Sequence, residues 1–143
     1  MQLKEVMTRG VEVIAADASL SEAAARMQAL DVGLLPVSAG DELVGMLTDR
    51  DITVRATAAG DDPLTTRVRD VMTTEIIACY EDEDLTAGAQ VMAKRQVRRL
   101  LILDRDEQLV GVVSLGDVAT ITGDARLTGG VLEGVSEPSG PPP

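Results

Sequence analysis

The chain contains its own copy. Val6-Met7-Thr8 returns as Val71-Met72-Thr73, and Leu43-Val44-Gly45 returns as Leu109-Val110-Gly111. Between these anchors Asp17, Leu20, Ala24, Met27, Val32, Leu35, Asp41 and Glu42 each recur 65 residues later. One extra residue, Gln108, lengthens the offset to 66, and Asp51 recurs as Asp117. A period this long marks two copies of one supersecondary unit, neither of which buries its apolar face alone. The copies are therefore expected to pack on each other about a pseudo-two-fold axis and to enclose two related clefts.

Composition narrows what those clefts can do. Within 143 residues, two small halves must share what core they have, and 45% of the residues are hydrophobic. Tyr80 is the single aromatic residue, so the core is built from Val, Leu, Ile, Ala and Met. The absence of histidine excludes a Ser-His-Asp triad, imidazole acid–base work near neutral pH and imidazole metal ligation. The lone Cys79 forms neither an intrachain disulfide nor a thiolate metal cluster. A net charge of −11 argues against direct nucleic-acid binding, which calls for a basic surface. Met1–Glu5 has no apolar signal-peptide core, and no apolar run reaches the length of a membrane span. A cytoplasmic protein without membrane contact is expected.

Each copy has the same order of elements. In the first, Val11–Ile14 is an extended run. Ser19-Leu20-Ser21-Glu22 is a capping box that starts a helix to about Leu30, with Leu20, Ala23, Ala24 and Met27 at helical spacing. Leu34–Val37 and Leu43–Leu47 are strands joined by a turn at Ala39–Glu42, and a second helix runs from Thr48 to about Ala59. Pro36 gives no ladder hydrogen bond and is expected at an edge or strand end. In the second copy, Ile76–Cys79 is the first strand and Asp84 caps the helix that follows. Strands Arg99–Leu103 and Leu109–Val113 lead to a helix at Ser114. The fold class is α+β, with two β-α-β-β-α repeats over 1–60 and 68–123. Residues 61–67 form a surface linker, and 124–143 a flexible Gly/Pro-rich tail.

One constellation recurs where the second helix of each copy begins. Thr48-Asp49-Arg50-Asp51 and Ser114-Leu115-Gly116-Asp117 both place a hydroxyl three residues before an aspartate. Free backbone N–H groups at such a turn suit a phosphate, and a carboxylate one turn on can accept both hydroxyls of a ribose. The same spacing is also a capping box that needs no ligand, and the two readings are compatible.

These motifs, with Val-Met-Thr opening each copy, resemble a tandem pair of CBS domains, also called a Bateman module, over about residues 3–122. The resemblance implies clefts for adenosyl ligands: AMP, ADP or ATP, with S-adenosylmethionine or NAD(H) as further members of the class. By that resemblance Asp51 and Asp117 hold ribose, Thr48 and Ser114 lie beside the phosphates, and Met46 and Val112 flank the base. The strands at Ile14 and Cys79 line the base pocket. Arg98 and Arg99 resemble a basic pair that reaches phosphates, where the first copy has Gly33 and Leu34. Strand alternation lets only one of the two face a cleft. Arg50 is either a cation beside the first cleft or a surface charge. Tyr80 either stacks on a base or packs, and Cys79 is either a redox handle or an inert core thiol. The resemblance also implies a disc-shaped homodimer, formed through small-residue helix faces at Ala23–Ala25 and at Ala56, Ala58 and Ala59. The expected function is a non-enzymatic regulatory module that senses nucleotide and signals to another protein. The alternative is an interaction scaffold with empty clefts.

Overall fold

The computed structural model describes residues 1–122; the tail at 124–143 lies outside them. The chain is mixed α+β, with two three-stranded sheets of identical plan. It divides into two compact units, and their composition is not that of the repeats. One unit is Glu12–Ile76; the other joins Met1–Val11 to the described residues that follow Ile76.

The Glu12–Ile76 unit holds β1 (Ile14–Ala15), α1 (Leu20–Leu30), β2 (Leu34–Ala39) and β3 (Glu42–Thr48). It continues through α2 (Asp49–Asp51), a wider π-helical stretch Ile52–Thr57, and α3 (Val68–Val71). β2 is central, parallel to β1 and antiparallel to β3. α1 starts where expected, but only half of its capping box forms. The Glu22 N–H donates to Ser19 Oγ at 3.1 Å, while the Glu22 carboxylate turns to Arg26 instead of back to the cap. The helix stops at Asp31, which takes a left-handed conformation (φ 54°). Leu20, Ala23 and Met27 from α1 meet Ile14, Leu35, Val37, Leu47, Ala56, Val68 and Val71 in one apolar core.

The other unit holds β4 (Ala78–Tyr80), α4 (Leu85–Arg95), β5 (Arg99–Leu103), β6 (Leu109–Ser114) and α5 (Leu115–Asp117), with a π-helical stretch Val118–Thr122. Asp84 caps α4 by accepting from the Thr86 N–H, and Gln96 ends it at φ 55°, the counterpart of Asp31. Its core gathers Cys79, Leu85, Ala89, Met92, Leu100, Ile102 and Val113 around Leu3 and Val6 from the N-terminal segment.

The two leading segments thus cross over. Met1–Thr8 begins the first repeat yet completes the second repeat's unit, and Thr66–Thr73 does the reverse. The bonds match one for one. The Leu85 N–H donates to Met1 O and the Leu20 N–H to Thr66 O; the Leu3 N–H donates to Glu83 O and the Val68 N–H to Ala18 O. The linker side chains are exposed except for the half-buried Thr66, and Pro63 O and Thr66 O accept from the first-turn amides of Ser21 and Leu20. Those acceptors satisfy donors that a helix start leaves free.

Pro36 departs from expectation, because it lies within the central strand. It is tolerated there because its pair with Met46 makes no ladder bond: the Met46 N–H and C=O are taken by Thr73. The missing donor therefore faces β1, and the cost falls on that pairing. In the other unit Leu101 fills the same place, donates to Ile77 O, and β4 pairs over three residues against two for β1.

Candidate functional site

Thr48 and Asp51 form a closed corner at the end of β3. The Asp51 N–H donates to Thr48 Oγ1 at 3.0 Å, and the Thr48 N–H donates to Asp51 Oδ2 at 3.1 Å. Ser114 and Asp117 repeat this at the end of β6, with distances of 3.0 and 2.9 Å. Both aspartates therefore serve as reciprocal caps, the ligand-free role that the spacing allows. Their surroundings differ. Asp51 is the one charged side chain buried among the described residues, at 9% exposure, whereas Asp117 is half-buried. Thr73 Oγ1 reaches both Asp51 oxygens at 3.4 and 3.5 Å, and Arg55 Nε lies 3.8 Å from Oδ1.

The leading segments run close beside these corners. Thr73 exchanges backbone bonds with Met46 (2.9 and 2.8 Å), and Thr8 does so with Val112 (2.9 and 3.1 Å). The adjacent glycines make room for this. A Cβ at Gly45 would lie 2.7 Å from Thr73 O, and one at Gly111 would lie 2.7 Å from Met7 Sδ and 2.9 Å from Thr8 O. The recurring Val-Met-Thr and Leu-Val-Gly motifs are therefore the two sides of one contact.

The remaining predicted residues divide. Met46 and Val112 are partly buried beside the corners. Arg98 and Arg99 are both exposed beside the second corner: the Leu115 N–H donates to Arg98 O, and Arg99 pairs across the sheet with Ser114. Neither guanidinium has a carboxylate partner among the described residues. At the matched place in the first unit, Asp49 leans over Gly33, where a Cβ would meet Asp49 Oδ2 at 2.8 Å. Where the second corner carries Arg98 and Arg99, the matched place in the first carries Asp49, although Arg50 and Arg55 also lie near that corner. Arg50 is exposed on α2.

Ile14 and Cys79 point into the cores of their units, at 1% and 5% exposure. Burial, with Glu83 nearby, pushes the Cys79 thiol up to about 11, so it is protonated at neutral pH, which lowers its reactivity. Tyr80 is engaged by its own unit. Its hydroxyl donates to Glu107, which with the Glu107 charge raises the phenol, and Arg105 lies 4.2 Å over the ring while pairing with Asp82. Ala23 and Ala56 are spent in the core, whereas Ala24, Ala25, Ala58 and Ala59 remain exposed. Thr73 and Arg55 were not legible as site residues. Thr73 was visible only as a repeat anchor, and its contact with Asp51 spans 22 positions of sequence.

No group of three or more potential metal ligands occurs among the described residues, and no helix there is long and apolar enough to cross a membrane.

Comparison with known proteins agrees with this architecture. The CBS domain family model matches twice, over residues 3–56 and 68–123. A CBS domain-containing protein, YhcV of Bacillus subtilis, is 40% identical over 134 residues, 94% of each chain. Among solved structures, Hypoxic Response Protein I with two coordinated zinc ions superposes with a TM-score of 0.74 at 32% identity, covering 83% of this chain and 97% of that one. The CBS domain pair of protein MJ0100, in complex with 5′-methylthioadenosine and S-adenosyl-L-methionine, gives 0.75 at 25% identity, covering 86% and 96%.

Proposed function

Because the chain belongs to the CBS domain family and carries a pair of these regulatory modules, we propose that it senses an adenosyl ligand and passes the signal to another protein. The ligand's ribose is held by Asp51 or Asp117, with Thr48 or Ser114 on the phosphate side. What carries this reading is the second corner. There Ser114 and Asp117 lie beside two exposed arginines without carboxylate partners among the described residues, in a chain of net charge −11. A carboxylate accepts a diol, and a guanidinium binds phosphate oxygens with charge-assisted bonds. AMP, ADP and ATP suit such a corner, and the related pair bound to S-adenosyl-L-methionine and 5′-methylthioadenosine supports the adenosyl class. The proposal extends to a cytoplasmic homodimer without catalytic activity, in which occupancy shifts the population of conformations seen by a partner.

Calorimetry with AMP, ADP, ATP, NAD(H) and S-adenosylmethionine tests it. At least one should bind, and Asp51→Ala or Asp117→Ala should each weaken one site by about ten- to a hundredfold, the scale of a lost hydrogen bond to a charged group. Unchanged affinity in both single variants and the double variant removes the ribose assignment.

A second reading rests on the capping boxes. Both carboxylates already have structural work, so the corners stand without a ligand. A pure interaction scaffold would capture the same partners with and without ATP, and a pull-down under both conditions separates the two.

A further inference from the structure

The corners share one motif but differ in what restrains their carboxylates. In the first, Arg55 Nη1 lies 3.3 Å from Met72 O and 3.5 Å from Val71 O, while its Nε faces Asp51 at 3.8 Å. Arg55 thus ties the segment Val71–Thr73 to the helical turn that carries Asp51. The two backbone bonds between Thr73 and Met46 then hold the Thr73 hydroxyl over both carboxylate oxygens. The second corner has the same backbone bridge, Thr8 to Val112, but among the described residues not the restraint. The residue matching Arg55 is Ile121, which has no side-chain donor, and the Thr8 side chain is exposed. Asp117 Oδ2 accepts from the Ser114 N–H, and Oδ1 takes no hydrogen bond among the described residues.

We propose that Arg55 and Thr73 are specificity-determining residues of the first corner, forming a latch that occupies Asp51 with the protein's own donors. A diol reaches Asp51 only by displacing them, whereas Asp117 Oδ1 meets no competing donor among the described residues. This rests on the adenosyl reading above. Each latch contact is long, and the Arg55 guanidinium is half-exposed although Asp51 is buried, so solvent weakens the ion pair. Two short charge-assisted bonds from a diol can displace such contacts. Displacement frees the Thr73 hydroxyl and Arg55 Nε from Asp51, while the Thr73–Met46 backbone bonds stay in place.

The test uses the full chain with Asp117→Ala, so that only the first corner is read. Adenosine and 5′-methylthioadenosine are the probes, because neither carries a phosphate to interact with Arg55. Arg55→Met with Thr73→Val should tighten binding about three- to tenfold, the scale of two weak surface contacts. Thr73→Ser, which keeps the hydroxyl, should bind as the parent does. Weaker or equal affinity in the double variant overturns the latch, since it would mean that the two residues orient Asp51 or do nothing. A ligand-free measurement keeps the two proposals distinct. Arg55→Met should speed hydrogen exchange at the Thr73 amide, and unchanged exchange overturns the latch whatever binds. Faster exchange in a protein that binds no adenosyl compound overturns the ligand assignment alone.

Discussion

At Gly45 and Gly111 the lack of a side chain is a packing requirement. The Thr73 and Thr8 carbonyls lie 2.7 and 2.9 Å from where a Cβ would stand. A backbone oxygen in a bridge cannot move aside as a flexible side chain can, so Gly45→Ala and Gly111→Ala should each destabilise by about 1–3 kcal/mol, the usual cost of overpacking. Thermal unfolding followed by circular dichroism reads this; an unchanged midpoint would mean the leading segments are not seated on β3 and β6. Other residue-level readings divided on burial. That Thr48 and Ser114 would cap, and Asp51 and Asp117 close the box, was legible because the interaction is local. The inward orientation of Ile14 and Cys79 was not legible, because a two- or three-residue strand offers too little alternation to tell its faces apart.

The elements were legible wherever period or punctuation was strong. α1 runs Leu20–Leu30, ending where the spacing of Leu20, Ala23 and Met27 ends, and β5 occupies Arg99–Leu103 as read. The rank of a strand within its sheet carries no such signal. Pro36 invites an edge assignment, yet β2 is central, because only the β1 side of that residue goes without a bond. Pro36→Leu should extend the β1–β2 ladder by one pair, as Leu101 does in the other sheet. The new amide at position 36 should be protected from hydrogen exchange. Net stability should move by less than about 1 kcal/mol, because the added bond is offset by the freedom restored to the unfolded chain. Rapid exchange there would refute this account of the shorter β1.

Across the whole molecule, the compact unit and the sequence repeat are different objects. Leu3 and Val6, at 0% and 2% exposure, belong to the core that contains β4–β6. Leu3→Ala should therefore cost about 2–5 kcal/mol, as for a fully buried leucine. Deletion of residues 1–8 should strip exchange protection from α4 and β4–β6 while β1–β3 keep theirs; losses concentrated in β1–β3 would contradict the exchanged arrangement. By itself the sequence determined the duplication, the order of elements and the two capping corners, since all of these are written in local spacing or in a fixed offset. Only the tertiary structure decided which leader completes which core, and that Thr73 meets Asp51. Those pairings depend on where the backbone travels between distant positions, and a repeat that matches itself equally well in either arrangement holds no record of the choice.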